Sequence, residues 1–176
     1  GVVTELHDLT AVEQGAAVRR GEVSPRELAS HYLERTDEVG AFVTRTPELA
    51  LARAEALLPL PAGAGPLHGV PTAIKDLNLT SGVRTSFGSP VFAEFVPDVD
   101  DEVVRRIAAA GMVSLGKTST PEFGSPCYTE PEGAPPAVTP WDPTRMAGGS
   151  SGGAAVAVAG LPRNATVEIQ VTVRFE

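Results

Sequence analysis

Two hydroxyls held between four glycines, Gly148-Gly149-Ser150-Ser151-Gly152-Gly153, stand directly before the apolar run Ala154 to Ala159. Glycine lets a backbone approach a ligand closely, and the small residues that follow read as a tightly packed helix. The pattern predicts a loop-to-helix junction whose unpaired N–H groups point at something polar. A Gly/Ser cluster also reads as a flexible connection. A phosphate-binding loop would end in Gly-Lys-Ser/Thr, whereas Gly153 is followed by Ala154. A Gly-x-Ser-x-Gly nucleophile elbow fails as well, because Gly149 and Gly152 stand one residue too close. The other candidate is Lys75, which closes the apolar stretch Val70 to Ile74. Read alone, a lysine there snorkels to the surface.

The elements that would hold these residues can be read in order. Thr10 with Glu13, and Ser24 with Pro25 and Glu27, fit helix starts in which a hydroxyl accepts from an exposed N–H and a glutamate answers three residues later. In the second helix Leu28, Tyr32 and Leu33 form the apolar stripe, and His31 beside it, like His7, reads as structural or exposed. Ala41 to Thr44 fits a short strand, and Pro47 opens a helix carrying Leu49, Leu51, Ala54 and Leu58, which Pro59 ends. Pro59 to Pro66 is a surface connection. Leu67 to Asp76 then reads as a turn and a buried strand ending at Lys75, with Asp76 pointing to the opposite face. Asp98 to Asp101 offers caps to a helix with Val103, Val104, Ile107 and Ala110 inward, stopped by Gly111. Met112 to Leu115 is a second strand, closed by Lys117, and Thr118 to Phe123 reads as a capped helical turn. Strand, helix and strand in succession predict α/β architecture: a mixed sheet with parallel βαβ units covered by helices.

Composition narrows the classes. With 42% hydrophobic and 20% charged residues, the chain is a soluble globular protein, and one domain is the default for 176 residues. A net charge of −8 with no basic cluster argues against nucleic acid as a partner. No stretch reaches the roughly 18 apolar residues of a membrane helix, so a cytoplasmic setting is the simplest expectation and no membrane partner is expected. Cys127, the single cysteine, has no companion for a disulfide or a zinc site and reads as a small packed side chain; no metal and no cofactor are expected.

Four blocks, in consistent order from about Leu6 to Gly160, make the chain resemble the amidase signature family of Ser-Ser-Lys hydrolases. Gly69-Val70-Pro71-Thr72-Ala73-Ile74-Lys75-Asp76 is similar to its lysine block. Asp100 to Gly111, Leu115 to Thr118 and Glu122-Phe123 are similar to the helix and strand that follow. Pro140-Trp141-Asp142-Pro143-Thr144-Arg145 leads into Gly148 to Ala157, which resembles the serine- and glycine-rich signature. The resemblance implies a partial amidase core over 1–160, a small-molecule amide as substrate, Lys75 as base, and Ser150, preceded by a cis peptide, as a bridging serine that relays the proton to a second serine. Ser151 and Gly149 are then expected beside the loop or the substrate, and Trp141 is expected to pack and position the Gly148 loop.

The chemistry agrees with those roles. An amide carbonyl is a poor electrophile, so its hydrolysis needs a nucleophile, a base that later protonates the leaving amine, and donors for the oxyanion. Ser-Lys arrangements are a recognised alternative to a histidine-based triad. A lysine acts as base only when neutral, a form that burial away from carboxylates favours.

The chain departs from the family after Gly160. The family's nucleophile lies in a second Gly-Gly-Ser segment some twenty-odd residues past the bridging serine, yet Ser151 is the last serine here and Gly160 the last glycine. Val167, Ile169, Val171, Val173 and Phe175 alternate instead with Glu168, Gln170, Thr172 and Arg174, a half-buried strand pattern. Residues 161–176 are therefore expected to be an atypical strand-like tail, arising by truncation, frameshift or fusion, that pairs within the chain or self-associates. Three readings follow: an amide hydrolase inactive as this truncated chain, a non-catalytic scaffold, or a fragment of an aminoacyl-tRNA amidotransferase subunit.

Overall fold

The computed structural model describes residues 5–35 and 40–160 of the chain. The expected strand of the tail falls outside them, as does the boundary after residue 160.

Helix α1 (Ala11–Arg20) and helix α2 (Pro25–Glu34) begin with reciprocal caps. Glu13 N donates to Thr10 Oγ1 while Glu13 Oε2 accepts from Thr10 N at 2.7 Å, and Ser24 and Glu27 repeat the exchange with the same 2.7 Å bond. Each pair satisfies two N–H groups that a helix start leaves open. Strand β1 (Phe42–Arg45) leads to α3 (Pro47–Ala56), opened by Pro47 at its first turn. The face that α3 buries is Ala50 and Ala54, with Leu57 just beyond, while Leu49 and Leu58 are exposed. Small side chains let α3 lie close to α2 and to the sheet, so of the expected face Ala54 is buried and Leu51 packs against the core, while Leu49 and Leu58 do not.

Strand β2 (Pro71–Lys75), helix α4 (Glu102–Ala109) and strand β3 (Val113–Thr118) form the expected βαβ unit, with β2 and β3 parallel. Strand β1 joins β3 antiparallel, giving a mixed sheet of order β1-β3-β2. The β2–β3 register shifts by one residue, from Thr72 opposite Ser114 to Ile74 opposite Lys117 and Lys75 opposite Thr118. The extra residue of β3 lies by Gly116, whose φ is +149° and where a Cβ would sit 2.2 Å from Thr44 O on β1. Only glycine fits that approach.

Two apolar clusters sandwich this unit. Val18, Leu28, Ala29, Tyr32, Ala50 and Ala54 pack with Val113 and Leu115 of β3, and Val104 and Ile107 of α4 pack with Val70 and Ile74. Each large buried aliphatic contributes about 1.5–3 kcal/mol relative to exposure. On α4 Val104 and Ile107 face inward as expected, but Ala110 is exposed. Asp101 holds the position before α4 without capping it; its Oδ2 accepts from Leu79 N at 2.8 Å, and Asp100 Oδ1 accepts from Ser81 N at 2.6 Å. These acids fasten the loop after β2 instead of the helix. A hairpin of β4 (Val138–Thr139) and β5 (Asp142–Met146) precedes α5 (Gly152–Gly160), whose Val156 and Ala157 pack on Ala41 and Ala137.

Candidate active site

Lys75 ends β2 with its side chain half-buried, and it meets the Gly/Ser loop across 75 residues of sequence. Its Nζ donates to Ser150 Oγ at 2.8 Å and to Ser151 Oγ at 2.8 Å. The first distance lies within the reach that proton transfer requires. The second is a contact that the sequence did not specify, since it left Ser151 to the loop or the substrate.

The peptide between Gly149 and Ser150 is cis. Gly149 is fixed there by space: an added Cβ would lie 2.8 Å from the backbone of Tyr128. Three residues that the sequence did not single out hold the loop. Thr120 Oγ1 donates to Ser150 O at 3.2 Å. Thr129 Oγ1 donates to Gly148 O at 2.8 Å and accepts from Gly152 N at 3.1 Å, so one hydroxyl clamps both ends of the turn. Ser119 O accepts from Gly153 N at 3.2 Å. The first N–H groups of α5 therefore point at something polar, as the glycine pattern predicted, and what they meet is the Thr129 hydroxyl and the Ser119 carbonyl inside the chain. A threonine in a loop carries no periodic or spacing signal, which is why Thr120 and Thr129 escaped notice.

Asp76 turns away from Lys75, as strand alternation predicted. It is fully buried, accepting from Ser86 N at 3.0 Å and from Ser86 Oγ at 2.6 Å. Lys117 Nζ stands 3.5 Å from Asp76 Oδ1, donates to Asn78 O at 2.7 Å, and donates to Thr85 Oγ1 at 2.7 Å. Burial pushes the Lys117 ammonium below its ordinary value, and the charge of Asp76 opposes that shift.

Two packing expectations are overturned. Trp141 sits in the β4–β5 turn with 82% of its surface exposed, so it does not position the Gly148 loop; Thr129 and Thr120 do. Cys127 is exposed, not packed, because it lies in the irregular segment after the 3-10 turn Glu122–Gly124. That turn follows Pro121 without a side-chain cap, the Thr120 hydroxyl being directed to Ser150 and Pro121 carbonyls. His7 and His31 stack on each other, with Nδ1 and Nε2 3.1 Å apart. Among the described residues no group of three or more His, Cys, Asp or Glu could hold a metal ion, and no helix is long and apolar enough to cross a membrane.

A family model described as Amidase matches residues 27–161. The chain is 45% identical, over 161 residues, to a glutamyl-tRNA(Gln) amidotransferase subunit of Alkalilimnicola ehrlichii, covering 88% of this chain and 33% of that protein. Among solved structures, 6-aminohexanoate cyclic dimer hydrolase aligns with a TM-score of 0.79 and 34% identity, over 89% of this chain and 33% of its own. A bacterial aryl acylamidase of the amidase signature family aligns with a TM-score of 0.82 and 28% identity, over 90% and 35%. The chain thus spans about a third of the length of the relatives it matches. With the lysine block, the following βαβ strand and the serine-glycine loop all in place, this chain belongs to the amidase family.

Proposed function

We propose that this chain supplies the base and the relaying serine for hydrolysis of a small-molecule amide. The observation that carries the reading is the 2.8 Å contact between Lys75 Nζ and Ser150 Oγ. Neutral Lys75 takes the Ser150 proton as Ser150 takes one from the attacking hydroxyl, and the same path returns a proton to the leaving amine. Ser151, whose hydroxyl also accepts from Lys75 Nζ, holds the ammonium that forms, and Gly149 and Ser151 flank the position that we assign to the substrate. The acidic composition and single cysteine suit a cytoplasmic setting.

No serine follows Ser151 in these 176 residues, and Thr172, in a β-branched strand pattern, is a poor attacking group. One oxyanion donor alone is worth about a hundredfold to a thousandfold in rate. The purified chain is therefore expected to turn over simple aromatic and aliphatic amides slowly, with the residual rate lowered further by Lys75→Ala and by Ser150→Ala. Turnover indifferent to Lys75→Ala would overturn the proposal. Fast turnover abolished by Lys75→Ala would keep the lysine but make Ser150 or Ser151 the nucleophile.

A second reading, as part of an aminoacyl-tRNA amidotransferase, is favoured by the 45% identity to one component of such an enzyme. It predicts that amide cleavage depends on the other components, and it is tested by assaying ammonia release with and without them.

A further inference from the structure

A cleft of about 360 Å³ opens between β1, the segment from Arg84 to Ala93, and the turn at Pro131 to Ala134. None of its lining residues is Lys75, Ser150 or Ser151. Val83 and Thr85 are buried, and Thr85 Oγ1 is held by Lys117, while Arg84 between them lines the cleft.

The Arg84 guanidinium is half-buried and fixed at two points: Nε donates to Ala93 O, and Nη1 donates to Thr44 Oγ1 at 3.2 Å. No carboxylate among the described residues forms an ion pair with it. A guanidinium carries five N–H groups, so three remain after these two bonds. Thr44 Oγ1 accepts from Arg84, which leaves its own proton to donate. The other hydroxyls of the cleft are engaged, Ser86 Oγ donating to Asp76 and Ser89 Oγ donating to Glu122. For an anion the cleft presents one oriented cation with a neutral donor beside it, and the Glu132 carboxylate lines the same cleft.

We propose that this cleft binds a small organic monocarboxylate through Arg84 and Thr44. The planar fork of Arg matches a carboxylate bidentately, and its two anchoring bonds lower the ordering cost of binding. Val43, Pro90 and Ala93 supply apolar wall for a short hydrocarbon tail, and the volume lies at the small end of ligand pockets. A phosphate dianion fits less well, because Glu132 lines the same cleft and the chain carries a net charge of −8.

Titrating the full chain calorimetrically with hexanoate, acetate and inorganic phosphate tests the assignment. Hexanoate is expected to saturate and to bind more tightly than acetate or phosphate. Arg84→Gln should weaken it about 10- to 100-fold, the loss of a charge-assisted bond, and Glu132→Gln should strengthen it. No saturation by hexanoate, equal affinity in Arg84→Gln, or tighter binding of phosphate would each overturn the proposal. Should Arg84→Gln fail to fold, amide chemical shifts of the unaltered protein decide: changes centred on Thr44, Gly88 and Ala93 support the site, and changes confined elsewhere refute it.

Discussion

The chain's two lysines close neighbouring parallel strands and could hardly be treated more differently. Lys75 is half-buried and meets two serine hydroxyls at 2.8 Å each. Lys117 is fully buried and meets a carboxylate, a carbonyl and a threonine hydroxyl. Ile74 and Lys117 stand opposite each other, as do Lys75 and Thr118, so one step of register separates two faces of the sheet. Asp76, two residues after Ile74, falls on the side of Lys117. A lysine's surroundings, more than its place at a strand end, decide whether it can exchange protons with hydroxyls or serves as a buried cation that ties a loop to a strand.

The contrast predicts opposite failures. Lys75→Met is expected to reduce amide turnover about 100- to 10,000-fold while leaving the denaturation midpoint nearly unchanged; a large loss of stability with activity per folded molecule retained would erase the distinction. Lys117→Ala should instead cost about 3–5 kcal/mol in urea unfolding, because it leaves Asp76 charged, buried and unpaired. Lys117→Met combined with Asp76→Asn should recover much of that loss, and a double variant no better than the single one would argue against the pair.

A smaller effect sharpens the Lys75 side. Thr129→Val keeps the shape of a residue that bonds Gly148 O and the buried Gly152 N–H but removes both bonds. It should cost about 1–3 kcal/mol and weaken turnover through the loosened Ser150 loop, whereas a purely structural Thr129 would change stability alone. Tyr32 provides a buried titrating group with no ionic partner to compare with Lys117. Its hydroxyl accepts from Gln14 Nε2 at 2.6 Å, and burial above all pushes its pKa up to about 12 from 10.0. The unfolded chain thus loses this proton first, so the stability that neutral Tyr32 contributes is fully present below pH 10 and is lost as pH rises toward about 12. The loss should be on the order of 1–2 kcal/mol and absent in Tyr32→Phe; equal alkaline destabilisation of that variant would remove Tyr32 as its source.

Much of this was legible because its signals are local. Thr10 with Glu13 and Ser24 with Glu27 announce helix starts within four residues, and the stretches ending at Lys75 and Lys117 are apolar runs bounded by turns. The Lys75–Ser150 contact spans 75 positions and was expected only because ordered blocks resembled a family. What stayed hidden depends on which distant surfaces meet. Lys117 finds Asn78 across 39 residues, Thr129 finds Gly148 across 19, and Trp141, apolar by type, lies largely exposed in a hairpin turn. Asp100 and Asp101 had the composition of a cap, yet the loop after β2 offered their carboxylates closer N–H groups.

The one-residue irregularity at Gly116 has a consequence for insertions and deletions. With perfectly regular pairing Lys75 would face Lys117 instead of Thr118. Two ammonium groups would then stand on one face of adjacent strands, about 5 Å apart at the backbone, where like charges repel. Excising Gly116 removes no charge and no apolar surface, and it would rank as mild in any tally of side chains. In register it is mild too, because removing the extra residue leaves Ile74 opposite Lys117 and Lys75 opposite Thr118, whereas one residue inserted after Gly116 would set Lys117 opposite Lys75 and turn it away from Asp76.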